Sequence, residues 1–565
     1  MRLKLLVAAA PLVLLCACAG APPQGQIARS QIEPNSISPY GMFLAGQAAL
    51  NDGKSGDAAR FFDQARGHPE ADVVVAERAF LAALLAGDIE KAAQVAPTGE
   101  DASEATKRLG KLVQGVEAIA EGKGKIAQPA LTPDSVAFPH RPAAALLAPW
   151  AAALNGDVEA SLTRPVVRND RLVEYFGQLG QAHLFERAKR YDEAETNFKA
   201  LTGGDDPAEL AVLAYGAFLE RRGRRPEAVE LYDLALGREP ASVALKQSRL
   251  RAAAGKAPPA PPTIREGAAF SLLAPASNMI QAKQTQLALA YLRLVLRLDP
   301  KRDEAWVMVG DVMQAAGDTE AARAAYGKPK PGSPEYGAAQ AKLAWTYQSA
   351  EDPETAIKLA RAAASAGDPD ARLTLADLLR ANERYEEAAQ LLTGLINEDK
   401  SPDWRLYYAR GVSLERLGRW SEAEKDLQAA LKIRPDEPEL LNYLGYTWID
   451  RGERLKEALA MVEKAVAQNP RSGAMIDSLG WAYYRMGDYK TAIQKLEQAV
   501  ELEAGDPDIN NHLGDAYWKA GRKDEAAFQW RRVLTLKPDA KIRAEAERKL
   551  ASGAGPDSLP AVARQ

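Results

Sequence analysis

The sequence predicts an all-α solenoid of stacked helix–turn–helix units, each about 34 residues long. Three observations lead there: a small residue that recurs at nearly constant spacing, a fixed apolar pattern around it, and the lack of any long stretch outside the pattern. Gly411, Gly445, Gly480 and Gly514 stand 34, 35 and 34 residues apart. Leu414, Trp448, Tyr483 and Tyr517 follow three places later. About twelve residues after each glycine comes Ala423, Ala458, Ala492 or Ala526, and a large apolar residue follows: Leu427, Val462, Leu496 or Trp530. Leu441, Leu444, Gly445 and Trp448 fall at i, i+3, i+4 and i+7, one face of a helix. The small glycine and alanine let two antiparallel helices approach closely. Gly418, Gly487 and Gly521 supply the left-handed residue that closes the first helix, and Pro435, Pro470 and Pro538 stop the second.

The same register continues upstream. The small site passes through Ala376, Ala344, Gly310 and Ala276, then through Gly216, Ala182, Pro149, Gly115, Phe80 and Gly46. That counts 12 to 14 units in two segments, six and then eight, because Gly216 and Ala276 stand 60 residues apart rather than 34.

In chain order, residues 1–17 read as a signal peptide. Arg2 and Lys4 precede an apolar run from Leu5 to Leu15, too short for the roughly 20 residues of a bilayer span. Residues 18–38 carry Pro22, Pro23 and Pro34 among small polar residues and read as a flexible tether. Residues 39–242 form the N-terminal segment. Residues 243–268 include Pro258, Pro259, Pro261 and Pro262 and are expected to be a stiff connector. Residues 269–540 form the C-terminal segment, 541–551 a capping helix and 552–565 a disordered tail. The two segments are expected to fold separately.

Composition narrows the function. Lys+Arg 72 against Asp+Glu 76 gives a net charge of -4, which argues against a nucleic-acid partner. Four scattered histidines give no metal site, and Cys16 and Cys18 give no disulfide framework. Gly53-Lys54-Ser55 lacks the upstream glycine of a phosphate loop, since Ala48 stands there, so no nucleotide is expected. No catalytic motif is found and no cofactor is implied. Repeats consume nearly all of 39–550, which leaves no room for a catalytic domain.

The other face of each first helix carries the candidate binding residues. Corresponding positions of the last four units form ladders: Tyr408, Val412 and Glu415; Asn442, Tyr446 and Ile449; Asp477, Trp481 and Tyr484; Asn511, Asp515 and Trp518. Arg416, Arg485 and Lys519 lie beside them. Rigid rings with polar handles make good interface anchors, so this stripe is expected to be a concave partner-binding surface. The competing expectation is that individual rings pack between neighbouring units. Trp481 and Tyr484 are expected to project into the groove, and Leu479 and Tyr483 to face the spine.

These patterns resemble the tetratricopeptide repeat (TPR) family, which implies an α-solenoid that binds proteins. The lysine-rich clamp that some members use for a terminal carboxylate is absent. Leu15-Cys16-Ala17-Cys18 resembles a bacterial lipobox, which implies lipidation of Cys18; an ordinary cleaved signal is the alternative. Ala19 after that cysteine implies the outer membrane by resemblance to enterobacterial lipoproteins, with the body at the periplasmic face. NYLGY at 442–446, DSLGWAYYRMGDY at 477–489 and NHLGDAYWKAG at 511–521 resemble Gram-negative outer-membrane TPR lipoproteins. That group includes the adaptor of a periplasmic carboxy-terminal processing protease. The resemblance implies a non-enzymatic adaptor that presents cell-wall hydrolases to such a protease. The alternative is a structural part of an envelope export or polysaccharide machine.

Overall fold

A computed structural model describes residues 38–66, 73–204, 207–240, 242–365, 369–398 and 402–552. Cys18, the signal, the tether and nearly all of the C-terminal tail lie outside the described residues. Among the described residues the ordered structure is entirely helical.

Six helical pairs come first. They are α1–α2 (Pro39–Asn51, Ser55–Arg66), α3–α4 (Val73–Ala86, Ile89–Val95) and α5–α6 (Glu104–Ala120, Gly124–Ala130). After the short α7 (Pro133–Val136) come α8–α9 (Arg141–Asn155, Val158–Ser161), α10–α11 (Arg171–Arg187, Tyr191–Thr202) and α12–α13 (Glu209–Arg221, Arg225–Arg238). A single helix, α14 (Val243–Ala253), follows. Eight further pairs begin with α15–α16 (Ile264–Gln281, Thr285–Leu298), α17–α18 (Asp303–Ala315, Thr319–Tyr326) and α19–α20 (Tyr336–Gln348, Pro353–Ala364). Then come α21–α22 (Pro369–Ala381, Tyr385–Glu398), α23–α24 (Trp404–Arg416, Trp420–Ile433) and α25–α26 (Pro438–Arg451, Leu455–Gln468). The last are α27–α28 (Gly473–Arg485, Tyr489–Leu502) and α29–α30 (Pro507–Lys519, Lys523–Thr535), with α31 (Ala540–Ser552) packed on both helices of the final pair.

All fourteen small sites read from the sequence fall on first helices. The structure gives the reason for their size. A Cβ on Gly216 would sit 2.3 Å from the Tyr232 ring, and one on Gly310 2.3 Å from Tyr326. At Gly514 the neighbour is Trp530, 2.5 Å away, and at Gly480 it is Leu496, 2.6 Å away. In the units with glycine at this site, the site is the hollow that receives the large side chain of the second helix, so the glycine and that side chain are two halves of one contact. Gly418, Gly487 and Gly521 hold φ of 75°, 84° and 81°, where a side chain is strained.

The two-segment division is corrected. α14 occupies the first half of the expected connector and packs on α12 and α13, burying Leu245, Ser248 and Ala252. Only the proline-rich stretch between α14 and α15 is extended, and Thr263 then caps α15 in a capping box with Glu266. The proline run carries the chain back, so that α15 lies against α8 and α10 while α16 lies against α3, α4 and α5. The first helices of units two to five therefore have their stripe filled by the chain's own seventh pair. One continuous apolar core runs from Phe80 to Leu343 and includes Val113, Trp150, Leu272, Leu292 and Val309. Arg297 grips Glu117 through two hydrogen bonds of 2.8 and 2.5 Å, and His140 Nδ1 lies 2.8 Å from Tyr291 Oη. Arg293 donates to the Leu85 carbonyl at 3.0 Å, and Trp150 Nε1 donates to Ser271 Oγ at 3.1 Å. Cutting between 242 and 269 would split this core, because the small-site register records which pairs exist but not where a pair folds back.

Candidate functional site: the first-helix stripe

From α19 onward first helices pack on one another, α19 on α21, α21 on α23, α25 on α27 and α27 on α29, and no helix of the first six pairs makes a substantial contact with them. Burial nonetheless divides the predicted residues into two groups.

The first group is packed between units. Trp481 is 9% exposed and Tyr484 7%. The Trp481 ring is stacked on Tyr484 at 4.5 Å and on His512 at 4.1 Å. The expectation that these two rings project into the groove is therefore corrected. Tyr483, expected in the spine, is half-buried and donates to Glu463 at 3.2 Å. Asp477 is buried and lies 2.9 Å from His512 Nδ1. Burial pulls the His512 imidazole down, but Asp477 beside it holds it up to about 9, so it carries a positive charge at neutral pH. Asn511 and Asp515 are also buried, and both accept from Lys549 of α31, at 3.0 and 2.8 Å. Lys549 also pairs with Glu545, and Trp530 Nε1 donates to Asp515 at 3.1 Å. This network joins the closing helix to the last pair. The physical reason is that the same stripe position in consecutive units lies side by side, so the next helix covers each residue whatever its polarity.

The second group still meets solvent. Tyr408 packs edge-on against Tyr443 at 5.6 Å and is half-buried. Glu415 accepts from Tyr443 at 3.3 Å, and Arg416 beside it is exposed. Asn442, Tyr446, Arg485, Trp518 and Lys519 are half-buried. Arg485 donates to the Asp450 carbonyl at 2.6 Å. Burial lowers the Arg416 guanidinium, while Tyr443, Glu415, Tyr385 and Asp508 raise it.

Some contributors escaped the sequence reading. Trp345 follows the small site Ala344 by one residue, as Tyr446 follows Gly445 and Trp481 follows Gly480, and it is 40% exposed. Continuing the register upstream would have found it. Lys549 falls one residue past the place where the next 34-residue step would put a small site. His512 gave no such signal, because its role depends on Asp477 in the preceding unit.

A second concavity, of about 360 Å³, lies between α10, α12, the proline run and α15. Leu179, Leu213, Pro259 and Phe270 make it mostly apolar, with His183 and Arg221 at its wall. Burial and Arg221 lower His183 to about 3, so it is neutral there. Arg221 is occupied by Glu186 at 2.7 and 2.8 Å and by the Pro259 carbonyl at 2.9 Å. Among the described residues no cluster of three metal-type ligands occurs, and no helix is long and apolar enough to cross a membrane.

Residues 179–243, 408–473 and 478–541 match one tetratricopeptide-repeat family model, and 347–410 match a second. These stretches of the chain thus carry tetratricopeptide repeats. The chain is similar to a TPR repeat-containing protein of Pseudomonas aeruginosa, 34% identical over 164 residues, 29% of this chain and 28% of that one. Human tetratricopeptide repeat protein 13 is 26% identical over 173 residues, 30% of this chain and 20% of that one. The chain thus spans under a third of the length of either relative. Among solved structures, a tetratricopeptide repeat protein from Parabacteroides merdae covers 44% of this chain at 16% identity and a TM-score of 0.38, with 98% of its own chain matched. The APC/C hetero-tetramer Cut9-Hcn1 covers 92% of this chain, with 99% of its own matched, at 15% identity and a TM-score of 0.32.

Proposed function

We propose that this chain is a non-enzymatic scaffold, held at the periplasmic face of the outer membrane by a lipid on Cys18, that binds partner proteins along the inner stripe of its last seven units. The observation that carries the binding reading is the contrast between the two stripes. Units two to five have theirs filled by α15 and α16, whereas the later stripe keeps Trp345 and Arg416 exposed and Tyr446 half-buried. Exposed aromatic and arginine side chains in one curved surface are what interface hot spots are made of. The lipobox-like Leu15-Cys16-Ala17-Cys18 supports the anchor. The strings at 442–446, 477–489 and 511–521 support the sharper version, in which the scaffold presents cell-wall hydrolases to a carboxy-terminal processing protease. The export or polysaccharide assembly role remains the second reading.

Affinity capture from detergent-solubilised envelopes tests this, with wild type compared against a Trp345→Ala, Arg416→Ala variant. A protease and a hydrolase retained by wild type and lost by the variant support the adaptor. Secretion or polysaccharide components with the same dependence support the second reading. Capture indifferent to the variant would move the binding surface off the stripe.

A further inference from the structure

The seventh pair fills the inner stripe of units two to five but stops short of unit six. α15 packs on α8 and α10 and makes no substantial contact with α12. The gap is the cavity of about 360 Å³, with α12 on one side, α15 on the other and the proline run across it. Its walls can be reached from solvent: Leu210, Leu213, Ala214 and Phe270 all line it and are only half-buried. Phe270 packs against the core that the seventh pair shares with the N-terminal units and also against the core of α10 to α14. The cavity therefore lies on the seam between two cores. The proline run is held over it at both ends. Arg221 donates to the Pro259 carbonyl at 2.9 Å, and the Thr263–Glu266 capping box fixes the start of α15.

We infer that this cavity binds a small, uncharged, largely apolar molecule. Size excludes a protein segment. One turn of α-helix with its side chains is about 10 Å across and 5.4 Å long, roughly 420 Å³, so the cavity cannot take in even one turn of a partner helix. It does fall within the range of about 300–1,000 Å³ that suits small organic ligands. Charge then decides the class. At the wall Arg221 is taken by Glu186 at 2.7 Å and Arg302 by Asp299 at 3.1 Å. The Glu266 carboxylate accepts from the Thr263 N–H at 2.8 Å. His183, the remaining titratable group of the lining, is neutral there. A charged ligand would give up its hydration and find no free counter-charge, which is costly. An apolar one removes leucine, proline and phenylalanine surface from water and pays no such penalty.

The test photolabels the full-length protein, carrying Cys18→Ala so that no lipid calls for detergent. Two probes differ by one charge: 3-trifluoromethyl-3-phenyldiazirine and its 4-carboxylate. Labelled positions are mapped by mass spectrometry. The expected result is saturable labelling by the neutral probe between Leu210 and Ala217 on α12 and at Phe270 on α15, with about tenfold less by the carboxylate. Ala214→Phe fills the cavity from α12 and should abolish the label at Phe270. If that variant melts early, Ala260→Phe fills the cavity from the proline run and gives the same readout. No label at these positions, label that does not saturate, or label that survives the filling would overturn the site. Equal labelling by the carboxylate would overturn the uncharged class. None of these outcomes depends on whether the later stripe binds a partner.

Discussion

Substituting Gly267 by alanine asks whether the seventh pair holds the N-terminal units together. The added Cβ would lie 2.1, 2.3 and 2.4 Å from three atoms of the Trp150 ring, against the 3.4–4 Å of ordinary contact. The ring must retreat by more than an ångström, yet Trp150 is 2% exposed and lies within the continuous core. Retreat also stretches the hydrogen bond to Ser271, which sits on the same face of α15. Overpacking of this kind costs about 1–3 kcal/mol. The lost hydrogen bond adds about 1 kcal/mol. Replacing glycine inside a helix returns roughly 1 kcal/mol of backbone propensity. The net expectation is a loss of about 1–3 kcal/mol, concentrated where α15 meets α8. Gly237 in α13 is the control, because a Cβ there meets nothing within 4 Å. Gly237→Ala should be neutral or stabilising by up to about 1 kcal/mol. Thermal unfolding followed by circular dichroism, with limited proteolysis of the proline run, reads both variants. Gly267→Ala should melt earlier and be cut faster in the proline run; Gly237→Ala should do neither. If the two variants behave alike, Trp150 does not lock α15 in place, and the shared core is not what holds the two halves together.

Three further outcomes follow from the same contacts. Trp481→Ala combined with Tyr484→Ala should lower the melting temperature, because both rings are buried; a variant that melts like wild type would return them to the groove. Stability should respond to pH in opposite directions at two places. His140, lowered to about 4 by burial and by Arg108, is neutral in the folded state, so stability at the α8–α16 contact is present above the ordinary value of 6.5 and is lost as pH falls toward 4. His512, held up to about 9, contributes stability that is full below 6.5 and lost as pH rises through 9. His140→Gln should remove the acid-side loss and His512→Gln the alkaline-side loss in melting curves; either variant keeping the wild-type profile would refute its assignment. Finally, Cys18→Ala should abolish labelling by a fatty-acid analogue, whereas Cys16→Ala should not; label retained by the Cys18 variant would end the anchor proposal.

Much of the repeat architecture could be read from glycine spacing, because the constraint is local. Gly216 and Tyr232, or Gly514 and Trp530, lie within one unit, and steric exclusion forces the small residue wherever the large one points. What the sequence did not disclose is every contact made between units far apart in the chain. Arg297 and Glu117 are 180 positions apart and belong to no repeated pattern, so no spacing announces them. The proline run reads as a stiff connector because proline excludes helix, which it does; that it returns α15 to α8 depends on side chains on both surfaces.

The inner stripe failed for a different reason, and that reason bears on how such surfaces work. Polar and aromatic residues recurring on one helical face read either as a solvent-facing binding stripe or as packing between neighbouring units, and the pattern does not separate the two. In a solenoid whose first helices stand side by side, that face is shared between neighbours before it is offered to a partner. Asp477 and His512 neutralise one another across adjacent units, and Asp515 does the same with Lys549. Residues so matched can rigidify the curvature but have little left to give a ligand. The ones that keep exposed area are Trp345 and Arg416, with Tyr446 half-buried between them and the packed group. If the stripe binds a partner as proposed, recognition there would fall to gaps in the pairing between consecutive units, and the residue types that make the stripe conspicuous in sequence are poor guides to which positions those are.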